Sequence, residues 1–337
     1  GSVGRGVARE LRLAVCHEAF GEESDQVAVD RVAEHRDAVS RADGEIAADD
    51  ERPGRGDPGD VGESEFDAHP GRRRPIAAAE CDRERQCAEA ALHGVGSDMV
   101  FVGNGSDEVI DLTFRIFCNP GKDKALTFSP TYGMYEVSAE INDVELIKIP
   151  LTTDFQIDFE ALENYLGYEN LKLIFICSPN NPTANSLDNI ETVLQKFNGI
   201  VVVDEAYIDF SKAGSFLTKI DQYPNLIVMQ TLSKAWGLAA ARVGMAYSNE
   251  LIISLYNKVK PPYNVSKPNQ NAALKALEDV AGFEKRKSTI LGQRTWLQNQ
   301  LAGLDVILKI YPSDANFLLV EMTDANRIYN ELVNLKV

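Results

Sequence analysis

The amino-acid sequence predicts an α/β fold with a mostly parallel sheet flanked by helices, and three observations carry that reading. Past residue 96, short β-branched apolar runs alternate with segments of helical period. The runs are continuous rather than interleaved with polar residues, as strands buried on both faces read. Polar residues cluster just after them, at the strand tips where ligands gather in such sheets.

Taken in order, a helical segment over residues 107–118 follows a short apolar stretch, and residues 125–128 are strand-like. The candidate buried strands are residues 172–178 (KLIFICS), 200–204 (IVVVD), 225–231 (NLIVMQT) and 243–248 (VGMAYS). Residues 190–197, 251–260 and 269–280 repeat their apolar positions at helical spacing.

With 337 residues and 44% hydrophobic content the chain exceeds one minimal domain, so two domains are expected. A formal net charge of -17 makes the molecule repel phosphodiester backbones and anionic lipid, which argues against nucleic-acid and membrane partners. Apolar runs are far shorter than the roughly 20 residues of a membrane helix, and no secretory leader opens the sequence, so a cytoplasmic location is expected. The five cysteines (Cys16, Cys81, Cys87, Cys118, Cys177) include no CxxC pair and read as free thiols. The four histidines (His17, His35, His69, His93) lack metal-ligand spacing, so no metal site is expected.

Composition changes abruptly near residue 100: residues 1–100 contain no Lys, Asn, Tyr, Trp or Thr, while five arginines follow Val100. Residues 49–62 (DDERPGRGDPGDVG) combine charge, Pro and Gly with little to bury, as flexible segments do. Within this part a helix is expected over residues 75–95. The segment is either an ordinary solvated extension or of another origin, such as a shifted GC-rich frame or an artificial fusion.

Five clusters carry the chemistry. Gly103-Asn104-Gly105-Ser106 forms a turn before a helix that Ser106 is expected to cap, with N–H groups suited to phosphate. Tyr132, in the SPTYGMY stretch after residues 125–128, is either a ring that stacks on a flat heterocycle or a packed loop tyrosine. In Ser178-Pro179-Asn180-Asn181-Pro182-Thr183 the proline turns the chain and leaves the Asn181 amide free to donate to a phenolate oxygen. Asp204 ends a strongly apolar run, where a carboxylate either caps a helix or meets a cation such as a protonated pyridine nitrogen. Lys234 directly follows an apolar strand, as a nucleophilic amine would, and Ser233 with Arg242 offers a hydroxyl and a guanidinium to a phosphate. Pyridoxal 5'-phosphate (PLP) needs an amine, an acid, a phenolate donor, an aromatic face and a phosphate cup, and the five appear together.

These residues resemble the fold-type-I PLP-dependent transferases, and among them the histidinol-phosphate aminotransferase family. The phrases FVGNGSDEVID, PTYGMYEVSAEINDVE, CSPNNPT, VVVDEAYIDF and QTLSKAWGLAAARVGMA carry the likeness over about residues 96–248, with weaker continuation through residues 261–270 and 313–320. The resemblance implies that Lys234 is the Schiff-base lysine and Asp204 the partner of the pyridine nitrogen. It implies Asn181 and Tyr207 as donors to the phenolate oxygen, and Tyr132 as the stacking ring. Ser106, Asp107, Ser233 and Arg242 would hold the phosphate, and Asn316 would face the substrate. A small-molecule amino donor, a 2-oxo acid and a homodimer are implied as well.

On this likeness residues 1–95 are an atypical segment, either disordered or non-native. Residues 96–255 are expected to form the PLP-binding large domain, and residues 256–337 a partial, truncated small α+β domain. The family's N-terminal Asn-Glu-Asn-Pro stretch and its C-terminal arginines have no counterpart here, and Ala184 replaces the glycine that usually follows NPT. The leading expectation is amino transfer between L-histidinol phosphate and 2-oxoglutarate, giving imidazole acetol phosphate and glutamate. Two alternatives stand beside it: another class I/II aminotransferase or a PLP decarboxylase of a small phosphorylated or aromatic amino acid, and a truncated, catalytically incompetent PLP-binding protein.

Overall fold

A computed structural model describes residues 93–336. The expectations for residues 1–92, including most of the helix over 75–95 and the thiols of Cys16, Cys81 and Cys87, lie outside the described residues.

The centre is a seven-stranded sheet made of β1 (Val100–Asn104), β2 (Lys124–Ser129), β3 (Glu145–Pro150), β4 (Leu171–Cys177), β5 (Ile200–Asp204), β6 (Leu226–Thr231) and β7 (Val243–Tyr247). Its strand order is β1-β7-β6-β5-β4-β2-β3. The pairs β2/β3, β2/β4, β4/β5 and β5/β6 are parallel. β7 is the exception to the expected parallel arrangement, running antiparallel to both β6 and β1. The reason lies in the connection: residues 232–242 are too few for the helical crossover that a parallel return requires.

Continuity of the apolar runs follows from burial on both faces. Ile174 and Ile176 of β4 join one apolar cluster with Val201 and Val203 of β5, while Leu173, Phe175 and Val202 join the cluster on the opposite face. Successive side chains of a strand point to opposite sides, so every position in such a strand must be apolar. Each fully buried Val or Ile contributes about 1.5–3 kcal/mol, and an ionised residue at Val202 would remove that and strand a charge.

Helices α1 (Gly105–Phe117), α2 (Met134–Ile141), α3 (Phe159–Glu163), α4 (Ile190–Lys196), α5 (Glu250–Val259), α6 (Lys267–Glu278), α7 (Val280–Leu301) and α8 (Ala325–Asn334) complete the described chain with a small antiparallel sheet of β8 (Ile307–Ile310) and β9 (Val320–Met322). α1 buries Val109, Ile110, Leu112 and Phe114 against the sheet, and Phe114 stacks on Phe175 with centroids 5.2 Å apart. α6 and α7 add Ala273 and Phe283 to the same cluster as Val201, and Phe283 stacks on Trp236 at 4.0 Å. Among the described residues no helix is long and apolar enough to cross a membrane.

Candidate active site

Strand direction gathers the chemistry at one edge of the sheet. β2, β4, β5 and β6 end there, and these ends deliver Tyr132, Asn181, Asp204, and Ser233 with Lys234. Because β7 is antiparallel, the residue before it, Arg242, comes to the same edge. β1 is antiparallel to β7 in turn, so its end carries Ser106 and Asp107 there as well.

Two glycines let α1 reach this edge. Gly105 has φ 79° and lies against the Arg242 guanidinium, while a Cβ at Gly244 would stand 2.3 Å from the Ser106 nitrogen. The expected capping role of Ser106 is not found. The helix begins two residues before the expected Asp107, at Gly105, after an Asn104 cap with no side-chain bond. Glu108 Oε2 instead accepts from the Asn104 N–H at 2.5 Å, which leaves Ser106 inside the first turn.

Asp107 joins two elements. Its Oδ2 accepts from Arg242 Nη2 at 2.7 Å and its Oδ1 accepts from the Tyr132 hydroxyl at 3.1 Å. The carboxylate is therefore engaged, and what the first turn of α1 offers an anion is its backbone N–H groups. Beside it, the Ser233 N–H donates to Thr231 Oγ1 at 3.1 Å, which sets the start of the loop that carries Lys234.

Asp204 is 3% exposed at the tip of β5. Oδ2 accepts from the Tyr135 hydroxyl at 2.6 Å and Oδ1 from the Ala206 N–H at 3.0 Å. Burial pushes its carboxyl up to about 6, opposed by the Tyr135 hydroxyl and the Ala206 N–H. Asp107 raises it further, and Lys234 is close enough to lower it. Among the described residues this buried carboxylate receives a phenol and one backbone N–H, which leaves it short of positive charge. Exposed Lys234 reaches over the Tyr207 ring, with Nζ 5.0 Å from the centroid.

Tyr207 in turn meets Phe317 edge-on at 5.2 Å. That contact brings residues 313–317 to the site, and Asp314 fixes them by donating its N–H to the Ala184 carbonyl at 2.7 Å. Asn316 sits in this segment with a buried Oδ1 that has no hydrogen-bond partner among the described residues. Ala184 itself adopts φ 66°, the left-handed conformation that favours glycine.

Sequence reasoning missed two residues here. Asn180, 1% exposed, accepts from Thr131 Oγ1 at 2.9 Å and donates to the Pro130 carbonyl at 3.0 Å and to Thr183 Oγ1 at 2.7 Å. It ties the Tyr132 loop to the Asn181 loop, and the doubled asparagine of CSPNNPT is its only signal. Tyr135 shows in the sequence only as the second tyrosine of PTYGMY, and nothing local reveals that it bonds to a residue 69 positions away.

A family model described as aminotransferase class I and II matches residues 80–336. A histidinol-phosphate aminotransferase of Cytophaga hutchinsonii is 51% identical over 253 residues, covering 74% of this chain and 72% of the relative. A histidinol-phosphate aminotransferase of Sinorhizobium meliloti, solved in complex with pyridoxal-5'-phosphate, superposes with a TM-score of 0.66 at 25% identity, over 73% of this chain and 68% of that one. The Clostridium acetobutylicum histidinol-phosphate aminotransferase gives a TM-score of 0.69 at 22% identity, over 76% and 78%, a likeness of fold. The chain belongs to the aminotransferase class I and II family, and within it to the histidinol-phosphate aminotransferases.

Proposed function

We propose that this chain transfers an amino group between L-histidinol phosphate and 2-oxoglutarate, with PLP held at the sheet edge described above. The observation that carries the reading is the pairing of a buried, charge-deficient carboxylate, Asp204, with the amine of Lys234 across the Tyr207 face. That donor set fits the cofactor. A carboxylate short of positive charge accepts a protonated ring nitrogen, and an exposed amine nearby is free to engage an aldehyde.

When bound, PLP supplies an electron-withdrawing ring that stabilises negative charge on the substrate α-carbon. Asp204 holds the proton on the ring nitrogen. Tyr207 and Asn181 would donate to the phenolate oxygen, and Tyr132 would stack on the ring. The N–H groups of Ser106 and Asp107, the Ser233 hydroxyl and the Arg242 guanidinium cradle the phosphate. Lys234 would act as the base that takes up the proton of the substrate α-carbon and as the acid that gives it back. Asn316, with its unpartnered buried oxygen, orients the substrate.

The same reading divides the chain into a cofactor-binding part over residues 96–255 and a small α+β part over residues 256–337. It also makes the chain a cytoplasmic homodimer. The test is spectroscopic. PLP added to the full chain should produce a visible band that borohydride fixes on Lys234, and histidinol phosphate should discharge that band. Lys234→Ala should lack the band; an unchanged spectrum in that variant refutes the assignment.

A further inference from the structure

Tyr135 has no exposed surface, and its ring stacks on Phe175 at 5.0 Å while meeting Tyr132 edge-on at 5.7 Å. A phenylalanine would fill that stack equally well. What tyrosine adds is the hydroxyl, whose hydrogen goes to Asp204 Oδ2 at 2.6 Å. With Oδ1 held by the Ala206 N–H at 3.0 Å, each oxygen of the carboxylate has one fixed donor, which removes the rotational freedom of its terminal torsion. Each oxygen keeps one further acceptor direction, because an ionised carboxylate offers about four lone-pair sites.

We propose that Tyr135 is a positioning residue for the cofactor: its hydroxyl holds the plane of Asp204 so that a remaining acceptor direction of that carboxylate meets the protonated ring nitrogen. This rests on the reading of Asp204 given under the proposed function. The hydrogen bond also favours the charged form of a carboxylate that burial otherwise disfavours. Sequence spacing adds a coupling. Tyr132 and Tyr135 lie three residues apart in PTYGMY, so the ring that covers the cofactor face and the phenol that sets its acid are carried by one short stretch at the start of α2. Cys177 also lies against the Tyr135 hydroxyl, and its own Sγ donates to the Pro179 carbonyl at 3.4 Å.

The experiment measures PLP dissociation constants by equilibrium dialysis for the full chain as wild type, Tyr135→Phe, Asp204→Asn and the double variant. Tyr135→Phe should weaken binding about tenfold when Asp204 is present, the scale of a hydrogen bond to a charged group. In the Asp204→Asn background the same change should weaken it less than about twofold, because the two groups act as one unit. Equal losses in both backgrounds, or no loss in either, overturn the proposal. If Asp204→Asn binds PLP as wild type does, the reading of Asp204 fails and this one fails with it. A weakened Asp204→Asn beside a wild-type-like Tyr135→Phe sinks this one alone. Should Tyr135→Phe not fold, 3-fluorotyrosine at position 135 replaces it. The more acidic phenol should shift the visible maximum of the bound cofactor when Asp204 is present and leave it unmoved in the Asp204→Asn background. A maximum that stays put in both backgrounds overturns the proposal.

Discussion

Arg242 Nη2 donates to Asp107 Oδ2 at 2.7 Å, joining the residue before β7 to the first turn of α1 across 135 positions of sequence. In the proposed site this pair stands beside the phosphate, where the two charges have opposite effects. Arg242 attracts the dianion, and Asp107 repels it except insofar as Arg242 neutralises it. Arg242→Gln is expected to weaken PLP binding by about tenfold to a hundredfold, since it removes a charge-assisted donor and exposes the phosphate to a carboxylate. Adding Asp107→Asn to that variant should recover part of the loss. Fluorescence titration with PLP checks both, and a double variant weaker than Arg242→Gln would show that the Asp107 carboxylate has no repulsive effect on the phosphate.

The crossing of α1 over β7 gives a second expectation. A Cβ at Gly244 would stand 2.3 Å from the Ser106 nitrogen and 2.4 Å from the Gly105 carbonyl carbon, and both are backbone atoms that cannot swing aside. Gly237, in contrast, has φ 71° with nothing within 4 Å of its would-be Cβ. Gly244→Ala should therefore destabilise the chain by about 3 kcal/mol through overpacking, and displace the anion-facing turn. Gly237→Ala should cost only the left-handed backbone strain, about 1–2 kcal/mol, and leave PLP affinity near that of wild type. Urea unfolding and PLP titration of both variants separate the two effects; equal PLP affinities would mean that the turn tolerates displacement.

These contacts show where the sequence is legible and where it is not. β4, β5 and β6 match their expected runs to within a residue, because double-sided burial leaves a continuous apolar word in the chain. Lys234, Asp204, Arg242 and Tyr132 stand out as candidates because each ends, follows or precedes a strand run. β3 is harder to read: it pairs on one side, and its ELIKIP keeps charged and half-buried positions. α7 buries Phe283 as its one fully enclosed side chain, so its 22 residues carry no apolar stripe to announce them. The antiparallel turn of β7 depends on the length of a connection, and the Tyr135–Asp204 bond depends on tertiary approach. Neither leaves a periodic trace.

Glu205, next to the proposed acid, yields an expectation for pH. It is 1% exposed, accepting from the Ser215 hydroxyl at 2.5 Å, the Phe216 N–H at 2.7 Å and Gln230 Nε2 at 2.9 Å, and so pins the β5–β6 connection to β6. Burial raises its carboxyl from 4.5 to about 7, against the pull of those three donors. The folded chain therefore holds this proton more tightly than the unfolded chain does. Its contribution to stability is complete below about pH 4.5 and is lost as pH rises through about 7. Asp204 and Asp209, both raised by burial to about 6, slope the same way at lower pH, so Glu205 is isolated by difference. Glu205→Gln mimics the neutral side chain and should flatten its share of the slope. Relative to wild type, the variant should gain stability between about pH 5 and about pH 8, by about 3 kcal/mol for a shift of this size. Urea unfolding at the two pH values measures the gain, and a difference independent of pH would mean that Glu205 stays ionised in the folded chain throughout.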